Sequence, residues 1–75
     1  MDQKQFIELV KRKRLSNLLS QKDLAKSIPI SKVTYSKIEN HQQNPNFFVI
    51  RRLAEILDID LNIIKEEQSL IVFYD

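Results

Sequence analysis

The chain of 75 residues contains no glycine and only two prolines, Pro29 and Pro45. Glycine and proline are the residues least compatible with the interior of a helix, so their scarcity favours a helical chain that is interrupted near the two prolines. A single domain of this length buries only about 60% of the surface that its unfolded chain exposes. We therefore expect modest stability, which dimerisation would increase.

The composition argues against several classes of function. Without cysteine the chain has neither disulfides nor thiolate metal sites, and without glycine it has no glycine-rich phosphate loop. Its one histidine, His41, lies in a polar segment and is expected to serve a helix end or face solvent, not a catalytic triad. We therefore expect no enzyme, no metal or other cofactor and no small-molecule substrate.

The apolar runs are also short. A membrane helix needs about 20 consecutive apolar residues, and the longest run here, residues 70–74, is far below that. The first residues lack the apolar core of a signal peptide. We expect a cytoplasmic protein that does not contact a membrane.

The net charge of +2 hides a division along the chain. Residues 1–52 carry a net charge of +7, whereas residues 53–75 carry −5. This asymmetry indicates one pole that faces a polyanion and a second pole that faces something else. The alternative is ordinary solvated charge on helix surfaces.

Apolar periodicity and capping residues predict five helices. The first two run from about Lys4 to Leu15 and from the N-cap Ser20 to Ile28, where Pro29 should end the helix and move Ile28 out of the helical region. Asp23, three residues after Ser20, should add to this cap, and the pair is a weaker form of the capping box. The predicted inward residues of these helices are Phe6, Ile7, Val10, Arg14, Leu24, Ala25 and Ile28.

Ser31 should cap a third helix from Lys32 to Asn40, with Tyr35 and Ile38 inward. Asn46 should cap a fourth helix over residues 47–57, and Asp60 a short fifth over residues 61–67. The predicted inward residues of the fourth helix are Phe47, Ile50, Leu53, Ala54 and Leu57. Those of the fifth helix are Leu61 and Ile64. Residues 69–75 are expected to be a strand, a helical turn or disordered.

The outward side of the third helix carries Lys32, Val33, Ser36, Lys37 and Asn40 in one stripe. One helix fits the major groove of DNA, where lysine can donate to guanine, serine can contact either kind of base edge and valine can touch a thymine methyl. The exposed Val33 is informative because a purely solvated face gains nothing from it. The alternative is a mixed polar helix face without a partner.

Residues 7–64 resemble the lambda-repressor-like, Cro-type (XRE) helix-turn-helix family of prokaryotic and phage regulators. The resemblance implies a compact all-α DNA-binding domain of five helices, with the helix-turn-helix at helices 2 and 3. We expect this domain to cover residues 1–68 and a tail to follow over residues 69–75. The matching residues are Ile7, Val10, Arg14, Leu19, Ser20, Gln21, Leu24, Ala25, Ser31, Thr34, Ile38, Glu39, residues 44–46, Ile50, Leu53, Ala54, Leu57 and residues 61–64.

The same resemblance implies roles for individual residues. Gln21, with Ser20, matches a phosphate contact at the start of helix 2, and Arg14 and Glu39 match a structural salt bridge. A plain solvated helix start is the alternative for Gln21, and solvated side chains are the alternative for the loop glutamines. The matching base-reading positions are Lys32, Val33, Ser36 and Lys37, and the further phosphate contacts are Asn40, Gln42 and Gln43.

The chain departs from the family at four positions where relatives often carry a left-handed glycine. Here they are Leu18, Pro29, His41 and Asp58. His and Asp enter that region at modest cost and leucine less easily, but the proline ring excludes it. The corner between helices 2 and 3 must therefore follow a different path, which leaves the tilt of helix 3 open.

More apolar residues are present than one small core should hide. The surplus consists of Phe48, Ile56, Ile59, Ile63 and residues 70–74. We expect a homodimer contact, because buried partner surfaces accommodate such residues; the alternative is a tail folded over its own core. The expected contact residues are Phe48, Leu61, Ile63, Leu70 and Val72.

These observations favour a transcription regulator, such as a repressor, that binds a short palindrome in double-stranded DNA as a homodimer. The alternative is an interaction module or antitoxin of the same fold, which would bind a protein partner through the acidic and apolar carboxyl-terminal part.

Overall fold

The computed structural model describes residues 2–60, which form four α-helices without any strand. The helices are α1 (Gln3–Ser16), α2 (Gln21–Ser27), α3 (Lys32–Glu39) and α4 (Phe47–Leu57). This confirms the expected all-α class and the order of the first four helices. The predicted fifth helix, the tail and the boundary between residues 68 and 69 lie outside the described residues.

Each described helix begins at a side chain that accepts a hydrogen bond from a backbone N–H of the first turn. Asp2 accepts from the Gln5 N–H, and the Gln5 side chain in turn accepts from the Asp2 N–H, which is a complete capping box. Ser20 and Asp23 form a second complete box, where the sequence predicted only a weaker relative. Ser31 and Asn46 cap α3 and α4. Short polar residues therefore fix the helix starts.

One apolar cluster joins the four helices. Phe6, Tyr35 and Leu53 have no exposed surface, and they come from α1, α3 and α4. Most of the predicted inward residues are buried as expected. The cluster consists of Phe6, Ile7, Val10, Leu24, Ala25, Ile28, Tyr35, Ile38, Val49, Ile50, Leu53, Ala54, Leu57 and Ile59.

Three expectations about apolar residues are wrong. Phe47, predicted to face inward, is 43% exposed, and Val49 is buried instead. Phe47 is the first residue of α4, and the Arg51 guanidinium lies over its ring, 5.8 Å from the centroid. Ile59 is buried and Ile56 packs against the core, so neither belongs to the surplus.

The corner between α2 and α3 follows a path without a left-handed residue. Ile28 remains in the right-handed helical region (φ −66°, ψ −46°), contrary to the expectation that Pro29 would move it out. Its side chain is fully buried and its N–H donates to the Leu24 carbonyl (3.1 Å), which together hold it there. The Ile28–Pro29 peptide is cis, and the Ile30 N–H donates to the Ala25 carbonyl (2.8 Å).

Arg52 on α4 binds the carboxyl-terminal end of α2. Its Nη2 donates to the Ser27 carbonyl (2.8 Å) and its Nε to the Ile28 carbonyl (3.2 Å). The last carbonyls of a helix lack partners within the helix, so the guanidinium satisfies two groups that would otherwise need water. This contact ties the corner before α3 to α4.

Leu18, His41 and Asp58 adopt the left-handed conformation, with φ of 58°, 62° and 56°. Left-handed backbone costs a residue with a Cβ about 1 kcal/mol, and asparagine tolerates it better than leucine. Leu18 is 92% exposed, so burial does not offset this cost within residues 2–60.

Replacing Leu18 with Asn is therefore expected to raise the free energy of unfolding by about 0.5 to 1 kcal/mol. Urea denaturation followed by circular dichroism would measure it. Leu15→Asn is the matched control: this exposed position is helical, so asparagine should lower the stability by a few tenths of a kcal/mol. Equal losses of unfolding free energy in the two variants would contradict a backbone cost at Leu18.

Candidate nucleic-acid interface

Helix α3 separates its side chains into a buried face and an outward face. Tyr35 and Ile38 are buried. On the opposite side Val33 is 64% exposed, both lysines are exposed and Ser36 is partly exposed. We refer to these four outward residues as the recognition stripe: Lys32, Val33, Ser36 and Lys37. The structure therefore brings together the four positions predicted to read bases.

The start of α2 presents Ser20 and Gln21. The Ser20 Oγ accepts from the Asp23 N–H (2.9 Å), and the Ser20 N–H donates to the Asp23 carboxylate (3.2 Å). The backbone hydrogen of Ser20 is therefore engaged within the cap of α2 and is not available to a phosphate. Hydrogen bonds from the backbone and hydroxyl of Ser20 lower the pKa of Asp23, which keeps this carboxylate charged.

The loop after α3 is folded back against the end of that helix. The His41 N–H donates to the Ile38 carbonyl (3.1 Å) and the Gln42 N–H to the Lys37 carbonyl (2.8 Å). These bonds are typical of helix ends that close with a left-handed residue, here His41. Three of the five residues predicted to contact phosphate lie here, and their side chains are exposed: Asn40, Gln42 and Gln43.

Behind this surface, four side chains share one buried network centred on Glu39. Arg14 binds the carboxylate with two parallel hydrogen bonds, Nε to Oε2 and Nη2 to Oε1, both 2.8 Å. The Gln21 Nε2 donates to Oε1 (3.0 Å) and the Tyr35 hydroxyl to Oε2. Arg14 also donates to the Leu19 carbonyl (2.9 Å). The network connects α1, the first residue of α2 and the last residue of α3.

Two members of this network, Gln21 and Tyr35, are not predicted by the sequence to contact Glu39. The expected role of Gln21 is a phosphate contact or a solvated helix start, and that of Tyr35 is an inward position on the third helix. The spacing of Tyr35 and Glu39, four residues apart on one helix, would have indicated their contact. No comparable signal in the sequence predicts the bond between Gln21 and Glu39, because it joins two different helices.

A second contact joins the loop to α1. The His41 Nε2 lies 2.9 Å from the Glu8 Oε2, and this hydrogen bond lowers the pKa of Glu8. The Gln3 Nε2 also donates to the Asn44 Oδ1 (2.7 Å). These exposed contacts place the loop of residues 40–46 along α1, in agreement with the helix-end role expected for His41.

Residues 2–60 contain no cluster of three metal-ligating side chains. None of the helices in this range is long and apolar enough to span a membrane.

Comparison with known proteins decides the family. The helix-turn-helix family model matches residues 10–64. The chain belongs to the lambda-repressor-like (XRE) helix-turn-helix family. It is similar to the ImmF control region 10 kDa protein of Bacillus phage phi105, with 32% identity over 72 residues that cover 96% of this chain and 80% of the relative. No solved structure gave a significant match.

In this helix-turn-helix protein the Glu39 carboxylate is charged although it is buried. Burial is the largest influence and by itself would raise the pKa of Glu39, but hydrogen bonds from Arg14, Tyr35 and Gln21 together lower it. The bond with Glu39 raises the pKa of Arg14, and burial followed by the contact with Glu39 raises that of Tyr35. Arginine and carboxylate therefore remain an ion pair, and tyrosine remains a neutral donor.

Removal of the carboxylate should be strongly destabilising. Glu39→Ala is expected to lower the free energy of unfolding by about 3 to 5 kcal/mol, because it leaves the buried Arg14 guanidinium without its counter-charge. The double variant Arg14→Met/Glu39→Leu is the control and should lose less, since both charges are gone and the volume is kept. An unchanged urea midpoint for Glu39→Ala would contradict this role.

The lowered pKa of Glu39 also predicts a dependence on pH. The folded pKa lies below the unfolded value of about 4.3, so the stabilisation is complete above that pH and is lost as pH falls through the folded pKa. Glu39→Gln lacks this contribution. As the pH is lowered from about 6 to about 3, the unfolding free energy of this variant should therefore fall less steeply than that of the unmodified chain. Parallel curves of unfolding free energy against pH would contradict this, because they would mean that Glu39 has the same pKa in the folded and unfolded chains.

Proposed function

We propose that this protein is a sequence-specific transcription regulator that inserts α3 into the major groove of double-stranded DNA. The observation that carries this proposal is the recognition stripe. It places two ammonium groups, a hydroxyl and an exposed valine on the outward face of a helix whose inward face is fixed by the Glu39 network. Lysine and serine suit base edges, and the exposed Val33 suits a thymine methyl.

The surroundings of α3 support contacts with the DNA backbone. One hydrogen of the Gln21 Nε2 is used by Glu39, and the second can be donated to a phosphate oxygen. Asn40, Gln42 and Gln43 follow α3 with exposed side chains and would contact phosphate beyond it. The charge of +7 on residues 1–52 favours binding to a polyanion.

The comparisons support a regulatory role. The family is one of DNA-binding helix-turn-helix proteins, and the phage relative is named a control-region protein. We propose that this chain likewise controls transcription, as a repressor, in the cytoplasm of a prokaryotic host where the DNA is accessible.

Binding as a homodimer to a palindrome is part of the proposal. Two recognition helices related by a two-fold axis would enter successive major grooves about 34 Å apart. Phe48, 54% exposed at the start of α4, is the described residue proposed for the dimer contact. The other proposed contacts, Leu61, Ile63, Leu70 and Val72, lie outside the described residues.

Selection of bound duplexes from a random pool at moderate salt, with the mass of the complex measured, tests this proposal. An inverted repeat that carries two chains is expected. If each protomer neutralises about three phosphates, the logarithm of the affinity should fall against the logarithm of salt with a slope near −5. Recovery of no preferred sequence, or a slope near zero, would contradict a DNA-reading role.

Single lysine variants separate base reading from general attraction. Lys32→Ala and Lys37→Ala should each cost about 1 to 3 kcal/mol on the selected site and less on a duplex of arbitrary sequence. Lys26→Ala is the matched control, because this exposed lysine lies on α2, outside the recognition stripe. Equal losses on both duplexes would assign the stripe lysines to phosphate attraction.

A further inference from the structure

We propose that the recognition stripe reads hydrogen-bond acceptors and a methyl group, so that each half-site presents two guanines and an adjacent thymine to α3. This inference rests on the proposed function and specifies the DNA that the same site selects.

The two lysines supply donors alone. An ammonium group has three donors and no acceptor. In the part of the chain that the structure describes, neither Lys32 nor Lys37 takes part in an ion pair or side-chain hydrogen bond. Both are exposed, so their donors are free to contact a ligand.

The Ser36 hydroxyl has a hydrogen that is free to donate as well. The Asn40 Nδ2 donates to the Ser36 Oγ (3.5 Å), which occupies an acceptor position of that oxygen. None of the residues 2–60 accepts the Ser36 hydroxyl hydrogen. The Ser31 hydroxyl, in contrast, is engaged in the cap of α3, because its Oγ donates to the Thr34 Oγ1 (2.9 Å) and accepts from the Thr34 N–H (3.0 Å).

The stripe therefore offers amine and hydroxyl donors and one isopropyl group. In the major groove guanine presents two acceptors, N7 and O6, and thymine presents one, O4. Adenine presents its N7 acceptor beside an amino donor, and cytosine presents an amino donor alone. An ammonium group opposite an amino group would leave both donors unpaired in a desolvated contact. Guanine fits the lysines best, and the thymine methyl fits Val33.

The spacing along α3 sets the spacing of the bases. Lys32 and Lys37 are five residues apart, which corresponds to about 7.5 Å along a helix. Base pairs are stacked about 3.4 Å apart, so for a helix that lies along the stacking direction the two guanines should be about two base-pair steps apart. Val33 follows Lys32 directly, and its thymine should therefore neighbour the guanine that Lys32 contacts.

Duplexes with single-atom changes test this inference on the full chain. Starting from the selected duplex, each half-site guanine is replaced by 7-deazaguanine, which lacks the N7 acceptor, and the thymine by uracil, which lacks the methyl group. Fluorescence anisotropy should show about tenfold weaker binding for each 7-deazaguanine at a contacted position and about threefold for uracil.

The matching variants should lose these sensitivities. Lys37→Met keeps the length of the side chain but has no donor, so it should bind one of the 7-deazaguanine duplexes as well as its guanine parent. Val33→Ala should no longer distinguish thymine from uracil. Lys26→Ala should retain all the sensitivities of the unmodified chain.

Two outcomes would overturn the inference while the proposed function stands. One is a selected half-site without guanine. The other is a 7-deazaguanine effect of equal size in the unmodified chain, Lys32→Met and Lys37→Met. If the selection recovers no preferred sequence, both the inference and the proposed function are overturned. If it recovers a preferred sequence, the proposed function stands and only the inference can still fail.

Discussion

The Glu39 carboxylate is the group on which the arrangement of the first three helices depends. It accepts two hydrogen bonds from Arg14 on α1, one from Gln21 at the start of α2 and one from Tyr35 on α3. A buried carboxylate is unfavourable unless its oxygens are satisfied, and here each accepts two bonds. A shift of any of these helices would leave charge or donors unpaired, so the network favours one arrangement.

The outward face of α3 follows from that inward anchoring. Tyr35 and Ile38 fill the core and Glu39 holds the end of the helix, which leaves the recognition stripe on the opposite side. Arg52 binds the end of α2 before the corner, and the His41 turn closes α3 after it. A helix held at both ends presents its side chains in a fixed register, which is what selective contact with base edges requires.

Much of this fold could be predicted from the sequence because the decisive interactions are local. Ser20, Ser31 and Asn46 cap their helices as expected, since an N-cap depends on a side chain and a backbone group a few residues apart. The expectations that were wrong depended on tertiary packing. Burial keeps Ile28 helical before Pro29, and Phe47 at the first position of α4 faces outward. The bond between Gln21 and Glu39 could not be predicted because it depends on how two helices meet.

The most direct test of the account is to map the DNA contacts by amide NMR on the 15N-labelled chain, titrated with a duplex of arbitrary sequence at low salt. If α3 and its surroundings bind DNA as proposed, chemical-shift changes are expected at residues 20–22, 32–37 and 40–43, together with the Gln21 side-chain amide. Changes confined to the outward sides of α1 and α4, or no changes on addition of DNA, would contradict it.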